Sequence, residues 1–375
     1  MYKVIYPTKD STLYSQFPEK NMGVDQILEI AKYTRGTPSL ENDATVYYDV
    51  TYNSRILIYF DLTAVSQSIV SRKINSNAQY FLSMRATDVI GLPISYTLYA
   101  YPVSGSWANG TGFYNNNPAI TNGVSWRYRD SKSQGTLWAT QSYNVNSTGS
   151  FGAIAHGGNW FTSSVASQSF VHELPDVRMD VTPVVRQWLS GSFPNEGMIV
   201  KLADSVEFDS SSFGAIKFFS SETHTIYIPR LEIYWDDSDL SGTGSFSQIS
   251  SEDFVLNVSN LRESYNESEV SKIKLSARDR YPIATYATSS NYMTKYRLPV
   301  NSYYQIQDHV TDEVIIPFHP SGTKISCNTD GNYIKVDCNA LLPERYYKLI
   351  FKCEFDGGDV VRYIDDGHIF RVTRS

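Results

Sequence analysis

Cysteine is scarce in this 375-residue chain, which contains only Cys327, Cys338 and Cys353. None of them stands in a Cys-x-x-Cys pair, so their spacing indicates neither a zinc site nor a disulfide framework. We therefore expect synthesis in a reducing cytosol. Each cysteine follows an apolar residue by two positions, which predicts free thiols packed on apolar faces as small hydrophobes.

Long apolar runs and basic runs are also missing. No stretch approaches the ~20 apolar residues that a membrane helix needs. The opening segment MYKVIYPTKDS lacks the apolar core and cleavage site of a secretory signal. Lys and Arg total 32 against 39 Asp and Glu, a net charge of −7. We expect no membrane insertion and no nucleic-acid partner, because the basic footprint of a nucleic-acid binder is absent.

Recognisable catalytic motifs are missing as well. The sequence has no Gly-x-Ser-x-Gly elbow, no His-Glu-x-x-His motif and no glycine-rich loop that opens a helix. Among the six histidines, His224 lies beside Glu222, and a hydrogen-bonded strand-edge role is favoured there over a catalytic base. The sequence therefore predicts a protein that is not an enzyme and that carries no organic cofactor.

Aromatic residues are abundant, with 28 Tyr and 18 Phe, and they favour strands. Apolar and polar residues alternate in SRILIYFDL, PRLEIYW and RYYKLIFKCEF, the pattern of strands with one buried face. Gly, Asn, Asp, Ser and Pro separate these short segments. The predicted fold class is all-β, built from sandwiches.

The stretch WDDSDLSGTGSFSQISSEDF marks the predicted domain boundary, because an acidic strand end is followed by Gly and Ser with few apolar residues. We expect a jelly-roll β-sandwich over residues 1–240 and a linker over 241–250. A smaller immunoglobulin-like β-sandwich is expected over 251–375. A length of 375 residues suits two domains better than one core.

One segment, DVTPVVRQWLSG, has helical spacing and predicts a short helix over about 183–190. Thr182 is the expected N-cap, and Gly191 is placed to end the helix. We interpret this helix as a plug that closes one end of the first sandwich. The expected structural residues are Val184, Val185 and Trp188 on the apolar stripe, which begins at Val181, and Trp235 at the end of PRLEIYW.

These segments together resemble the DNRLRE-type jelly roll, a relative of carbohydrate-binding modules. The succession DVTPVVRQWLSG, NEGMIVKL and PRLEIYW is similar to the C-terminal half of that fold. KDSTLYSQFPEKNMGVDQILEI and NSRILIYFDLT resemble its opening strands. The resemblance spans Tyr2 to about Asp237 and implies a jelly roll without an invariant catalytic motif.

Two stretches depart from that family, an insertion ending NGVSWRYRD and the segment FFSSETHTIYIPRLEIYWDD. They resemble structural proteins of tailed-bacteriophage particles, as do LPVNSYYQIQD and GNYIKVDCNALLPERYYKLIFKCEFDGG further on. The resemblance implies a non-enzymatic virion component of a tail, neck, baseplate or capsid decoration. Such a protein is made in the host cytoplasm and assembles with other virion proteins, as a homo-oligomer in a symmetric ring or trimer.

Aromatic residues near strand ends and loops support an alternative function, an adhesin that binds host surface glycans. The candidates are Tyr99, Tyr101, Trp107, Trp126 and Tyr128. Exposed aromatics stack on the apolar faces of sugars, whereas buried ones pin loops and cover a core, which is the commoner state of large aromatics. The exposure of these side chains decides between the two interpretations.

The acidic segment WDDSD contains Asp236, Asp237 and Asp239, whose hard oxygen ligands suit a structural Ca²⁺ ion. It lacks the Asp-x-Asp-x-Asp-Gly loop pattern, and a solvated strand end is the alternative. A polysaccharide-degrading enzyme is a third hypothesis. It requires two carboxylates facing one sugar, and the sequence does not position pairs such as Asp365 and Asp366.

Overall fold

The computed structural model describes residues 1–41, 44–131, 135–138, 156–171, 174–207, 209, 211–281 and 294–374, with the backbone alone over 35–49. The chain is an all-β protein of several antiparallel sheets, as predicted. It divides into two compact units. The N-terminal unit comprises Ile5–Gln67 and Gln79–Glu232, and the C-terminal unit comprises Met1–Val4, Ser68–Ala78 and the chain from Ile233 onward.

The main division thus falls at Ile233, whereas the sequence places it at residue 240. The stretch predicted as a linker, 241–250, lies within the C-terminal unit. Its backbone is hydrogen-bonded there: Gly242 N donates to Cys327 O at 2.9 Å, and Ile249 N donates to Arg297 O at 3.0 Å. These bonds attach the stretch to the C-terminal unit along its length.

The chain up to residue 234 contains twelve strands and three helices, in the described ranges. They are β1 (Tyr2–Ile5), β2 (Lys9–Tyr14), β3 (Ile27–Glu41), β4 (Ala44–Tyr59), α1 (Thr63–Val70), β5 (Gln79–Met84), β6 (Ala86–Ile90), β7 (Ser95–Pro102), β8 (Ala166–Val171), β9 (Val177–Asp180), α2 (Thr182–Leu189), β10 (Met198–Leu202), α3 (Asp204–Glu207), β11 (Gly214–Phe219) and β12 (Arg230–Tyr234).

The N-terminal unit is built on a large sheet in the order β6-β11-β3-β4-β10-β7-β8, with β2 also paired to β4. A smaller sheet contains β12, β5 and β9 in that order. The expectation of one buried face per strand is wrong for β4. Its residues Ile56, Leu57 and Ile58 are all fully buried, although alternate side chains point to opposite faces of a sheet. Both faces of the large sheet are therefore covered at its centre.

The predicted plug helix is present as α2, which packs against β5 and β8. Its apolar stripe is buried: Val184 and Val185 are fully buried, and Trp188 is 7% exposed. Trp235 is 5% exposed. Gly191 ends the helix in the left-handed region at φ +75°, where a glycine carries no steric cost.

The expected cap of α2 is wrong in one respect. Val181, and not Thr182, occupies the N-cap position. The Thr182 hydroxyl instead accepts a hydrogen bond from the backbone N–H of Tyr80 at 2.9 Å. The hydroxyl therefore joins the helix to β5, which is a tertiary contact that helix-capping patterns do not predict.

The C-terminal unit contains nine further strands in the described ranges. They are β13 (Phe254–Val258), β14 (Ser264–Asn266), β15 (Val270–Asp279), β16 (Ser302–Asp308), β17 (Val314–Ile316), β18 (Ser326–Asn328), β19 (Gly331–Asp337), β20 (Arg345–Phe355) and β21 (Val360–Thr373). They form two sheets, in the orders β13-β15-β19-β18 and β14-β21-β20-β16-β17.

Strand β20 confirms the period-two interpretation in full. Its burial alternates from Tyr347 to Phe355, with every second residue buried. All three cysteines are free and buried, as predicted. Burial raises the pKa of Cys353 to about 11 and that of Cys338 to about 12, so these thiols stay protonated near neutral pH. In the part of the chain that is described, no helix has the length and apolar character needed to cross a bilayer.

Replacement of Trp188 tests the plug. Trp188→Ala removes a buried indole and should destabilise the N-terminal unit by about 3–5 kcal/mol, since the cavity collapses only partly. Arg186→Ala alters an exposed residue of the same helix and should change stability by less than about 0.5 kcal/mol. Calorimetry of the full chain measures both. A melting temperature equally unaffected by the two substitutions would reject the plug.

Candidate functional site

The second face of the large sheet is covered by loops that follow β7. Four residues of neighbouring strands lie on this face. Leu13 on β2 is paired with Arg55 on β4, and Lys201 on β10 is paired with Tyr99 on β7. Arg55 and Lys201 are 1% and 0% exposed. Charged residues in the middle of a strand are therefore sealed from solvent, which requires partners above the sheet.

Tryptophans supply much of the covering layer. A buried cluster contains Leu13, Leu57, Val103, Trp107, Val124, Trp126, Trp138, Trp160 and Ile199, with Tyr59 and Tyr101 partly buried against it. Trp138 Nε1 donates to Ser125 O at 3.0 Å, and Trp107 Nε1 donates to Glu196 O at 2.9 Å. The indoles thus fix loop backbone as well as filling space.

The charged centre of this layer is an ion pair between Arg55 and Glu207. Arg55 Nε donates to Glu207 Oε1 at 3.0 Å, and Arg55 Nη2 donates to Glu207 Oε2 at 2.7 Å. This bidentate geometry is the strongest form of an arginine–carboxylate contact. Lys201 Nζ lies 2.9 Å from Glu207 Oε2 and also contacts the exposed carboxylate of Asp204. Glu207 comes from the short helix α3, directly after β10.

Burial raises the pKa of Glu207, but the charges of Arg55 and Lys201 and their hydrogen bonds lower it further, so that the net pKa lies below its ordinary value. The carboxylate is therefore ionised at neutral pH. With two cations and two carboxylates in contact, the cluster is close to charge balance. A balanced, hydrogen-bonded group of this kind is tolerated in a protein interior.

Aromatic rings complete the surroundings of the cations. The Arg55 guanidinium lies 4.7 Å from the Trp126 ring and 5.2 Å from the Trp160 ring. Lys201 Nζ lies 5.0 Å from the Trp160 ring. Gly157 permits this packing, since a Cβ there would lie 2.7 Å from Arg55 Nη1 and from the Trp126 ring. Its carbonyl also accepts a hydrogen bond from Arg55 Nη1 at 2.7 Å.

A second anchor of the loops is Asn21, which is fully buried. Its amide donates to Asn109 O and Val124 O, both at 2.7 Å, and its side-chain oxygen accepts from Gly112 N at 2.8 Å. The side-chain amide of Asn21 thus satisfies backbone hydrogen-bonding groups at three loop positions. It thus ties the 109–124 region to the connection between β2 and β3.

The five predicted sugar-binding aromatics do not form an exposed platform. Trp107 and Trp126 are 4% and 2% exposed. Tyr99, Tyr101 and Tyr128 are half-buried, and the rings of Tyr99 and Tyr101 lie 6.3 Å apart at an interplanar angle of 18°. Four of the five therefore belong to the face of the large sheet or its covering layer, and Tyr128 lies in the loop that carries Trp126.

The three predicted calcium ligands lie at the end of β12 and beyond, in the C-terminal unit. Asp237 Oδ2 is 2.9 Å from Lys335 Nζ. Asp236 and Asp239 accept hydrogen bonds from backbone N–H groups two residues on, Ser238 N at 2.9 Å and Ser241 N at 3.0 Å. Within the described ranges, no group of three or more such side chains is arranged to hold a metal ion. The calcium site stays a prediction.

Sequence patterns missed the residues at the centre of the layer. Arg55 stands in an apolar run, SRILIYF, and Lys201 stands in another, MIVKL. A charged residue between apolar strand residues could have indicated them, because a buried charge needs a partner inside the protein. The partner, Glu207, is 152 residues from Arg55, and no local pattern joins the two.

Comparisons with known proteins leave the family open. No family model matches the chain, and no curated protein matches it. Among solved structures, the chain is similar to a DUF4785 family protein from Legionella pneumophila, at 8% sequence identity and a TM-score of 0.21. That match covers 100% of this chain and 62% of the other, so the chain spans less than two thirds of its length. A likeness this low carries no argument, and the resemblance to DNRLRE-type and phage proteins stays a prediction.

Removal of the buried carboxylate tests the ion pair. Glu207→Gln leaves two buried cations without their shared partner and should cost about 3–5 kcal/mol. Asp204→Asn removes the other, half-exposed carboxylate on Lys201 and should cost less than about 1 kcal/mol. The measurement is thermal unfolding of both variants. Equal, small losses would show that the cluster does not hold the layer.

A buried acid, Asp10 on β2, predicts a pH dependence of stability. Burial raises the pKa of Asp10 to about 6, against the opposing effect of its hydrogen bonds from Ser221. Ser221 N and Oγ donate to this carboxylate at 2.7 and 2.9 Å. Because the folded state holds this proton more tightly than the unfolded state, stability falls as pH rises from about 4 to 6, by up to about 3 kcal/mol.

Asp10→Asn should remove that part of the pH dependence, as measured by denaturant unfolding at pH 4 and pH 7. Ser221→Ala removes a hydrogen bond that favours the ionised form and should extend the decline to higher pH. Asp359→Asn, at an exposed position before β21, is the control and should leave the profile unchanged. An Asp10→Asn profile identical to that of the parent protein would contradict this assignment.

Proposed function

We propose that the protein is a non-enzymatic structural component of a bacteriophage particle, located in the tail, neck, baseplate or capsid decoration. It assembles through its sandwich faces with other virion proteins and with copies of itself, in a ring or a trimer. The sequence resemblance to phage structural proteins motivates the proposal, and one structural observation supports it against a sugar-binding module.

The observation that carries the proposal is the burial of all six tryptophans, at 1–7% exposure. In a sugar-binding module, several of these rings would be open to stack on a ligand. Here four of them lie in one layer that seals charged side chains of the large sheet. The Asn- and Gly-rich segment 107–131 is consequently anchored by Trp107 and Trp126, which are buried in this layer, and this suits a protein whose outer surface docks on partners.

Exposed apolar residues at the edges of the large sheet support assembly. Strands β6 and β8 lie at its two ends. Ile90 on β6 is 54% exposed, Val171 on β8 is 56% exposed, and Ile94 between β6 and β7 is 70% exposed. Apolar side chains on an open edge strand favour pairing with another chain.

One observation favours the alternative, a carbohydrate-binding adhesin. Phe113 and Tyr114 are 41% and 43% exposed, and the Tyr114 ring lies 5.5 Å from Tyr14 and 5.7 Å from Phe17. This aromatic group offers ring faces at the surface, unlike Trp107 and Trp126. A glycan-binding role would therefore use Tyr114 and not the five residues predicted from sequence.

Composition of purified particles tests the proposal. Mass spectrometry of virions should find this polypeptide at a fixed ratio to the major capsid protein. Ile94→Asp should lower the amount of the polypeptide in the particles and the mass of its oligomer in solution. Val310→Asp, at an exposed turn position of the C-terminal unit, is the matched control and should assemble normally. Particles without the polypeptide would overturn the proposal. Glycan-array binding lost in Tyr114→Ala would favour the adhesin instead.

A further inference from the structure

A cleft in the C-terminal unit is lined by three lysines, Lys272, Lys274 and Lys295. It has a volume of about 220 Å³. Lys272 and Lys274 stand on the exposed side of β15, because burial alternates along that strand and both lie at exposed positions. The lining also contains the neutral polar residues Ser259, Ser276, Asn328 and Asn332 and the aromatic residues Tyr296 and Tyr333.

The walls of the cleft are fixed by internal contacts. Asn332, 4% exposed, donates to Tyr296 O at 2.8 Å and accepts from Leu298 N at 3.0 Å. Lys295 Nζ donates to Asp330 O at 3.2 Å, which ties the segment before Tyr296 to the β18–β19 turn. The two lysines of β15 and Lys295 therefore face one space from different elements.

Charge in the cleft is predominantly positive. Asp330 is the one acidic residue of its lining, against three lysines. Among the residues that the structure describes, none of the three lysines forms a salt bridge, whereas their neighbour Lys335 is paired with Asp237 at 2.9 Å. Lys272 Nζ instead lies 3.8 Å from the centroid of the buried Tyr333 ring. In a chain with a net charge of −7, this concentration of unpaired cations is local.

We propose that this cleft binds one oxyanion, a carboxylate or phosphate group, carried by a small ligand. Convergent cations in a concavity raise the local concentration of anions. Lysine ammonium groups act as point charges and impose no planar geometry, so that both oxyanions fit. The volume lies below the roughly 300–1,000 Å³ of sites for drug-sized ligands, which indicates one charged group flanked by hydroxyls or amides. This binding activity is additional to the proposed structural role and does not depend on it.

Titration of the full-length protein tests the cleft. Glucuronate and inorganic phosphate are the two anionic probes, and glucose is the neutral control, in a phosphate-free buffer of low ionic strength. We expect saturable binding of an anion that weakens as salt is added. Tighter binding of glucuronate identifies a saccharide carboxylate as the ligand group, and tighter binding of phosphate identifies a phosphate. Either result supports an oxyanion site.

The variants separate this site from general surface charge. Lys274→Gln and Lys295→Gln should each weaken anion binding by about tenfold, as expected for the loss of one charged contact. Arg278→Gln removes one positive charge from the same exposed side of β15, outside the cleft, and should leave the affinity within about twofold, a difference below 0.5 kcal/mol. All three positions are exposed, and unchanged melting temperatures verify folding.

Three results would overturn the proposal. They are no saturable binding of either anion, binding of glucose as tight as that of glucuronate, and equal loss of affinity in Lys274→Gln and Arg278→Gln. The last result would mean that the affinity for the anion depends on the net charge of the protein and not on the cleft.

Discussion

The bidentate pair between Arg55 and Glu207 is the contact on which the N-terminal unit depends. A guanidinium in the middle of a central strand commits the fold to supply a carboxylate and a cover, because an unpaired buried charge costs several kcal/mol. Helix α3 brings Glu207 to it, and Trp126 and Trp160 close over it. The segments after β7 that carry Trp126 and Trp160 are therefore part of the interior.

This requirement explains why the five aromatics that the sequence suggested do not form an exposed platform. Each indole in the layer either lies against a cation of the sheet, donates to loop backbone or fills the space between them. A ring that seals Arg55 is not free to stack on a ligand. Among the described residues, apolar side chains at the edges of the large sheet and the aromatic group around Tyr114 remain exposed on the N-terminal unit.

In the C-terminal unit, period-two burial is clearest on two strands. Two of its long strands, β15 and β20, alternate between buried and more exposed residues, whereas β16 and β19 each bury three consecutive residues. The buried positions form an apolar core that includes all three thiols. The exposed positions are consequently free to carry charge, and on β15 they carry Lys272 and Lys274 beside the cleft. The exposed side of β15 thus offers a more open binding surface than the loop-covered face of the large sheet.

Local pattern was sufficient for much of the fold. Period-two alternation predicted β20, and helical spacing predicted α2 with its buried Trp188 and its terminating Gly191. These features depend on neighbours within one element, so a single sequence contains them. The same reasoning failed where a side chain's surroundings come from elsewhere, as for the Thr182 hydroxyl, which binds the backbone of Tyr80, and the second face of β4.

The sequence by itself determined the all-β class, the plug helix and the buried thiols, because each is encoded by spacing along one strand or helix. Only the tertiary structure decided which aromatics are exposed and where charge is buried. Alternation shows that two faces differ, but whether the second face meets water or protein depends on a segment far along the chain. Arg55 and Glu207, 152 residues apart, are neighbours only because β10, which leads into α3, pairs with β4.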